Sequence, residues 1–358
     1  RFQHEEIRYM SHEVNFMDRF QALGEGTKVD TLQLLSIRDS LTTASIPRWF
    51  SAQWSLIVAS LTLCLLPLLI ILSVFKLVDG NVPVFYATLQ FFIVYLLCNN
   101  HARQIAKQTA VIHDAAENFL LLIKQVITLQ QLPSSLQKEV EALRNAQQQA
   151  TLLNSIINRL DRRGNILGLM LIDTFGLNDY FLIREYLRWE ADFKNQIEAE
   201  VRALSHIDAL VSWGRFAYNH PEATTAEVTS DTNVSVEAEE IYHPFLGTKA
   251  IKNNFSIVNG SYTIVTGANM AGKSTFLRTI GINYILARNG GPVFAKRMRT
   301  STFNLFSSMR TTDDLDRGIS YFNAELRRLQ QLIRFCKHPF YTEGKPTESA
   351  STLIILDE

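Results

Sequence analysis

The chain has 358 residues, with 35 Lys plus Arg against 35 Asp plus Glu and a formal net charge of zero. Such a length predicts two or three domains, and the charge balance excludes a global basic field that draws in nucleic acid, so any such binding must come from a local patch. The three cysteines, Cys64, Cys98 and Cys336, stand far apart and match no disulfide or metal spacing; buried thiols in a reducing compartment are the expectation.

Residues 1–48 read as a short, mostly helical segment, interrupted at Gly24-Glu25-Gly26 and at Thr42-Thr43-Ala44-Ser45. Residues 49–100 follow as a hydrophobic hairpin. The run 54–75 has no charged residue and is long enough to cross a hydrocarbon core of about 30 Å as a helix. Pro67 lies in its middle, which membrane helices tolerate better than soluble ones. The run 82–98 is also uncharged and near the short limit for a span, and Asp79-Gly80-Asn81 between the two reads as a tight turn. Trp49 and Trp54 sit where interfacial aromatics belong. Arg48 precedes the first run, and His101, Arg103 and Lys107 follow the second, which orients both flanks to the cytoplasm. The expectation is an integral membrane protein, of the inner (cytoplasmic) membrane if bacterial, with its soluble parts in the cytoplasm. The first run begins too far from Arg1 for a cleaved signal peptide. The soluble alternative is a helical hairpin buried in a large core.

Residues 101–221 read as a helical core or lever domain. Ile105, Ala106, Thr109, Ile112 and Ala116 keep helical spacing, as do Phe119, Leu120 and Ile123. Pro133-Ser134-Ser135 signals a helix start, and Gly164 and Gly176 punctuate the middle. A long helix is predicted from Asn178 to about Tyr218; its alternating charges, including Arg184, Glu185, Arg188, Glu190 and Asp192, predict a solvated face. Arg159, Arg162 and Arg163 form a local basic cluster, either a solvated turn or a contact for nucleic acid.

Asn219-His220-Pro221 closes that helix, and residues 222–233, rich in Thr, Ala and Ser, read as a linker. Residues 234–358 then read as an α/β domain. Residues 234–238 alternate like a strand, and 255–258 and 262–266 are further strands around Asn259-Gly260. The last of these runs into Gly267-Ala268-Asn269-Met270-Ala271-Gly272-Lys273-Ser274-Thr275, followed by a helix-forming run over 276–287. This is the G-x-x-x-x-G-K-S phosphate loop in its strand–loop–helix setting, against the weaker alternative of a plain glycine turn. Its backbone N–H groups face phosphates, Lys273 reaches the β- and γ-phosphates, and the Ser274 hydroxyl holds Mg²⁺. Residues 352–356 form an apolar run ending in Asp357-Glu358. Behind a phosphate loop, such a buried parallel strand reads as the Walker B element, with Asp357 supporting Mg²⁺ and Glu358 polarising the attacking water. Between them, an acidic loop with Gly318 leads into a helix starting near Ser320, whose N-terminus is either a plain N-cap or an anion site. The fold class predicted is thus an α/β P-loop NTPase domain behind a helical core and a two-helix transmembrane hairpin. Starting at Arg1 and stopping directly after two carboxylates, the chain reads as a fragment of a longer one.

These motifs resemble the MutS family of DNA mismatch-repair ATPases. The loop T-G-A-N-M-A-G-K-S-T is close to the family's T-G-P-N-M-G-G-K-S-T, with a distinctive Asn269-Met270 pair. Asp313-Asp314-Leu315 with Gly318, Ser320, Phe322 and Glu325 resembles its D-D-L-x-x-G-x-S-T-F-x-x-E, and residues 353–358 resemble its Walker B strand. Tyr242-His243-Pro244 and Ala250-Ile251-Lys252-Asn253-Asn254 resemble the segment before the nucleotide site; residues 207–212 and 218–221 resemble the end of the helical core. The likeness is specific over 241–358, and the hairpin makes a membrane-associated MutS-like branch the best match.

The resemblance implies ATP and Mg²⁺ as ligands, a homodimer with composite ATP sites, Ser320 acting in trans on the partner's γ-phosphate, Ile251 among the nucleotide contacts, and DNA as a partner. Departures limit this. Ala268 replaces Pro, Ala271 replaces Gly and Tyr321 replaces Thr, while Ala250 stands where an aromatic stacks on adenine. The Phe-x-Glu wedge of mismatch readers is missing from this sequence. Two alternatives remain. One is a membrane ABC-type transporter subunit, against which stands the lack of an L-S-G-G-Q stretch before residue 353. The other is an ATP-switched membrane scaffold with no DNA role.

Overall fold

A computed structural model describes residues 4–26, 36, 46–164, 166–229, 235–308, 321–337 and 351–357. The chain divides into two compact units, residues 15–209 and residues 1–14 with 210–358.

The first unit is helical. After α1 (His4–His12), which belongs to the other unit, α2 (Val14–Gly26) carries Phe16, Met17 and Phe20 on its buried face. The interruption expected at Gly24 is instead the last turn of α2. Glycine costs only about 1 kcal/mol in a helix, and an added Cβ on Gly24 or Gly26 would touch nothing, so the helix frays out there without a packing demand. Residues 42–45 lie outside the described residues.

The hairpin consists of α3 (Gln53–Val74) and α4 (Asn81–Ile127). Asp79 Oδ1 accepts the Asn81 N–H at 3.0 Å, which holds the turn expected there. Both helices have stretches apolar and long enough to cross a membrane, with only 11 % and 22 % of those stretches buried. Leu61, Val74, Phe85 and Leu96 are among the large apolar side chains exposed on these helices. Cys64, expected to be buried, is exposed on α3; Cys98 is buried. The second apolar run does not end its helix at residue 98. Instead α4 continues for 47 residues in all, because Ile105, Thr109, Ile112, Phe119 and Ile123 carry a buried stripe straight on.

That stripe packs with α5 (Gln137–Asp161), through Val140, Leu143, Leu153 and Ile156, and with α7 (Asn178–Asn219), through Leu182, Ile183, Tyr186 and Trp189. Trp189 Nε1 donates to Gln149 O at 3.0 Å, and the Tyr186 hydroxyl donates to Gln108 Oε1 at 2.9 Å, so the large buried rings keep their polar atoms bonded. The charged face predicted for α7 is only partly solvated. Arg184 is buried and donates to Phe50 O and Ala52 O at 2.8 and 2.9 Å, and Glu190 is buried against Lys194. Between α5 and α7 lies the short α6 (Ile166–Gly176).

The second unit holds residues 210–219 of α7 and the α/β region. Its four-stranded sheet has the order β1-β4-β2-β3, with β1 (Glu227–Thr229) parallel to β4 (Arg297–Ser301), and β2 (Ser235–Ile241) antiparallel to both β4 and β3 (Asn253–Val258). Strand β1 falls inside the expected linker of residues 222–233, so that stretch is in part structured: Ala226 is buried and pairing with β4 takes up its backbone groups. Val236 and Ala238 turn inward from β2 and meet Ile280, Tyr284 and Ala287 of α8 (Lys273–Arg288). Tyr284 stacks on Phe303 with ring centroids 3.9 Å apart. A separate parallel pair joins β5 (Asn304–Ser308) and β6 (Thr352–Leu356). Only one face of β6 is covered: Leu353 and Ile355 are buried, Ile354 and Leu356 exposed. A further helix, α9 (Tyr321–Lys337), begins close to where a helix is expected.

The strand expected over residues 262–266 does not form a ladder; residues 261–268 have no regular structure. A cleft of about 450 Å³ lies among β3, this segment and β6, leaving Tyr262 and Ile264 exposed. Both β3, paired only with β2, and β6, paired only with β5, present an open edge toward this segment, yet it forms no ladder with either.

Candidate functional site

Four observations build the site in the second unit. The loop 267–275 tightens through Ala271 N–H donating to Ala268 O at 3.2 Å, then enters α8 with Phe276 N–H donating to Gly272 O at 2.9 Å. Gly272 is the N-cap with φ +89, a left-handed conformation open to glycine and costly for other residues. Met270 adopts φ +66 without that freedom, and its side chain is fully exposed; strain of this kind, of order 1–3 kcal/mol, concentrates at functional loops.

The Lys273 ammonium is folded onto the loop itself, donating to Gly267 O at 2.7 Å and Ala268 O at 3.3 Å. A cation held by two neutral carbonyls at the positive end of a helix is poised to exchange them for an anion, since charge-assisted bonds are about twice as strong.

The Ser274 hydroxyl donates to Asp357 Oδ1 at 2.9 Å, across 83 positions of sequence. Asp357 is held there by its own N–H donating to Ser308 O at 2.9 Å, at the end of the β5–β6 ladder. Its second oxygen, Oδ2, is buried and has no hydrogen-bond partner among the described residues. An unpaired buried carboxylate oxygen is costly, and beside a hydroxyl it forms the hard oxygen set that Mg²⁺ prefers. The residues present therefore fit that ion.

Beside the loop lies a cleft of about 440 Å³ whose walls include Thr266, Gly272, Lys273 and Thr275 together with His243, Lys249 and Ile251. Burial, and then the Arg278 guanidinium, hold the His243 imidazole below its ordinary pKa. Its Nδ1 accepts the Phe245 N–H at 3.3 Å, the role of a neutral ring. A larger cavity of about 530 Å³ in the helical unit has almost wholly apolar walls and no charged residue in its lining.

The residues predicted from sequence are thus brought together over 267–275, with Asp357 bonded to Ser274 and Ile251 on the cleft. Ser320, Glu358 and the acidic stretch 313–318 lie outside the described residues. His243 and Lys249 were not singled out by sequence reasoning as nucleotide-site residues: they lie more than twenty positions before Lys273, in a turn without a phosphate motif of its own. The basic cluster is also corrected. Arg159 donates to Asn178 Oδ1 at 3.2 Å and pairs with Glu185, and Arg163 pairs with the fully buried Asp179 at 2.9 Å. Of the three, only Arg162 is an exposed side chain. Among the described residues no group of three or more His, Cys, Asp and Glu gathers to hold a metal.

Residues 263–358 match the sequence profile of the family described as MutS domain V. The chain is similar to the DNA mismatch repair protein MutS of Haloquadratum walsbyi, 30 % identical over 168 residues, 46 % of this chain and 16 % of that one. It is similar to the MutS of Protochlamydia amoebophila, 31 % identical over 174 residues, 46 % of this chain and 18 % of the other. The DNA mismatch repair protein MSH3 of Arabidopsis thaliana is 30 % identical over 188 residues, 50 % of this chain and 16 % of that protein. The matched region is therefore less than a fifth of each relative's length. The loop and the Ser274–Asp357 bond both lie within residues 263–358, the stretch that matches MutS domain V and that is similar to these MutS and MSH3 proteins.

Proposed function

We propose that the chain binds and hydrolyses ATP at the loop 267–275, in a P-loop NTPase domain that works as a homodimer and is anchored in a membrane by α3 and α4. The observation that carries the ATP reading is the Ser274–Asp357 hydrogen bond, which joins the phosphate loop to the end of β6 beside an unpartnered carboxylate oxygen. In this reading the N–H groups of 267–275 and the Lys273 ammonium bind the triphosphate, with Lys273 leaving the Gly267 and Ala268 carbonyls to do so. Ser274 and Asp357 hold Mg²⁺, which supplies positive charge against the phosphate oxygens. Glu358 follows Asp357 and orients the attacking water, and Ser320 completes the partner's site. The cleft beside Ile251, Lys249 and neutral His243 takes the nucleoside end.

Membrane anchoring is supported by the two long apolar helices with mostly exposed side chains. DNA as a partner rests on the relatives' names and on the family; the ion pairs of Arg159 and Arg163 argue against that cluster as the contact.

Equilibrium binding of a fluorescent ATP analogue to the detergent-solubilised chain tests the site. Lys273→Ala is expected to weaken binding by about tenfold or more, as losing a charge-assisted hydrogen bond does; equal affinity would remove the loop from the site. For DNA, a salt-independent lack of affinity for duplex, branched and mismatched substrates would end that part of the proposal.

A further inference from the structure

Two hydrogen bonds fix the short helix α6 along α4. At its start, Arg163 Nη2 donates to Asn99 Oδ1 at 3.1 Å; near its end, Gln90 Nε2 donates to Thr174 O at 2.8 Å. Asn99 and Gln90 are nine positions apart on α4, about 13 Å at 1.5 Å per residue. The eleven residues of α6 cover a similar rise. So α6 runs antiparallel to the apolar stretch 90–98 of α4, with its C-terminal end about 13 Å from the charged flank.

The chain then returns. Leu177 turns with φ +46, Asp179 pairs with Arg163 at 2.9 Å, and the Tyr180 hydroxyl bonds Ser55 Oγ at 2.9 Å, beside the start of α3. At the turn the backbone groups have partners: Thr174 O takes Gln90, Leu177 N–H donates to Asp173 O, and Asp179 N–H donates to Asp173 Oδ1. Non-helical backbone at membrane depth requires such satisfaction. Asp173 is the one charged residue in α6, and it is fully buried, facing inward. Outward stand Met170, Ile172 and Phe175, 39, 47 and 59 % exposed. On α3 and α4, Leu61, Val74, Phe85 and Leu96 are exposed apolar side chains as well.

We propose that α6 is a third membrane-inserted element, a re-entrant helix that enters and leaves on the side of Asn99 and presents Met170, Ile172 and Phe175 to lipid acyl chains. This rests on the reading that α3 and α4 span a membrane. If they do, the Gln90–Thr174 bond carries the end of α6 close to the middle of a hydrocarbon core of about 30 Å, where an apolar outer face and an inward acid are what the bilayer requires.

The test uses the full chain in phosphatidylcholine vesicles doped with a phosphatidylcholine bearing a diazirine midway along one acyl chain. Photolysis and peptide mapping should find adducts on Met170, Ile172 and Phe175 as well as on Ile57 and Leu61 of α3, and none on exposed residues of α5. Adducts on α3 but none on α6 would overturn the re-entrant helix and leave the anchor standing; adducts on neither would remove the anchor and the inference together. Copper-catalysed cross-linking of Phe175→Cys between copies, with α6 free of lipid adducts, would assign the face to a second copy and overturn the inference.

Discussion

Ser274 and Asp357 bond to each other at 2.9 Å, and Asp357 Oδ2 has no hydrogen-bond partner among the described residues. Removing the hydroxyl strips the carboxylate of its remaining side-chain donor. Ser274→Ala is therefore expected to lower Mg²⁺ affinity by on the order of 10- to 100-fold, as changes at the ligand shell do, read as the Mg²⁺ concentration that half-saturates ATP binding; an unmoved midpoint would take Ser274 out of the metal site. Glu200 makes a second residue-scale prediction. It is buried, its Oε1 has no hydrogen-bond partner, and burial raises its pKa from 4.5 to about 7. The folded state then holds a proton that the unfolded chain releases. Its contribution is fully present below pH 4.5 and is lost as pH rises to about 7. Glu200→Gln should flatten that slope and raise stability at pH 8 by roughly 1–3 kcal/mol, measured by thermal unfolding across pH 5–8. A variant with an unchanged slope would mean the carboxylate finds a partner in solution.

At the level of elements, the helices were the legible part. Residues 178–218 announced α7 by length and spacing, and the phosphate loop announced α8, because periodicity and glycine chemistry are local properties of the chain. What stayed hidden depended on partners distant in sequence. Strand β1 sits in a polar Thr- and Ala-containing stretch and exists through pairing with β4. The apolar run 262–266 has every local sign of a strand but forms no ladder with β3 or β6, the edge strands beside it. The inward turn of Arg184 could not be read from a charge pattern, because its acceptors are the carbonyls of Phe50 and Ala52. The C-terminal turns of α7 show how close such packing runs. A Cβ on Gly291 would clash with the Trp213 ring, and Phe294 contacts both Phe216 and His220. Gly291→Ala should cost roughly 1–3 kcal/mol, the usual penalty of overpacking, seen as a lower denaturation midpoint; no loss would mean the Trp213 ring moves freely.

For the whole molecule, the dimer is the part of the proposal with the sharpest consequence. Chains carrying Lys273→Ala and chains carrying Ser320→Ala should each be inactive alone. Mixed, they form one intact composite site, so ATP turnover should recover in part; no recovery would place Ser320 in its own protomer's site or in none. The central claim is simpler and comes first. Steady-state ATP turnover of the detergent-solubilised chain should fall by about 10²-fold or more in both Lys273→Ala and Glu358→Gln, the scale of losing a group that acts on the developing charge. Turnover in those variants equal to the parent's would contradict the account.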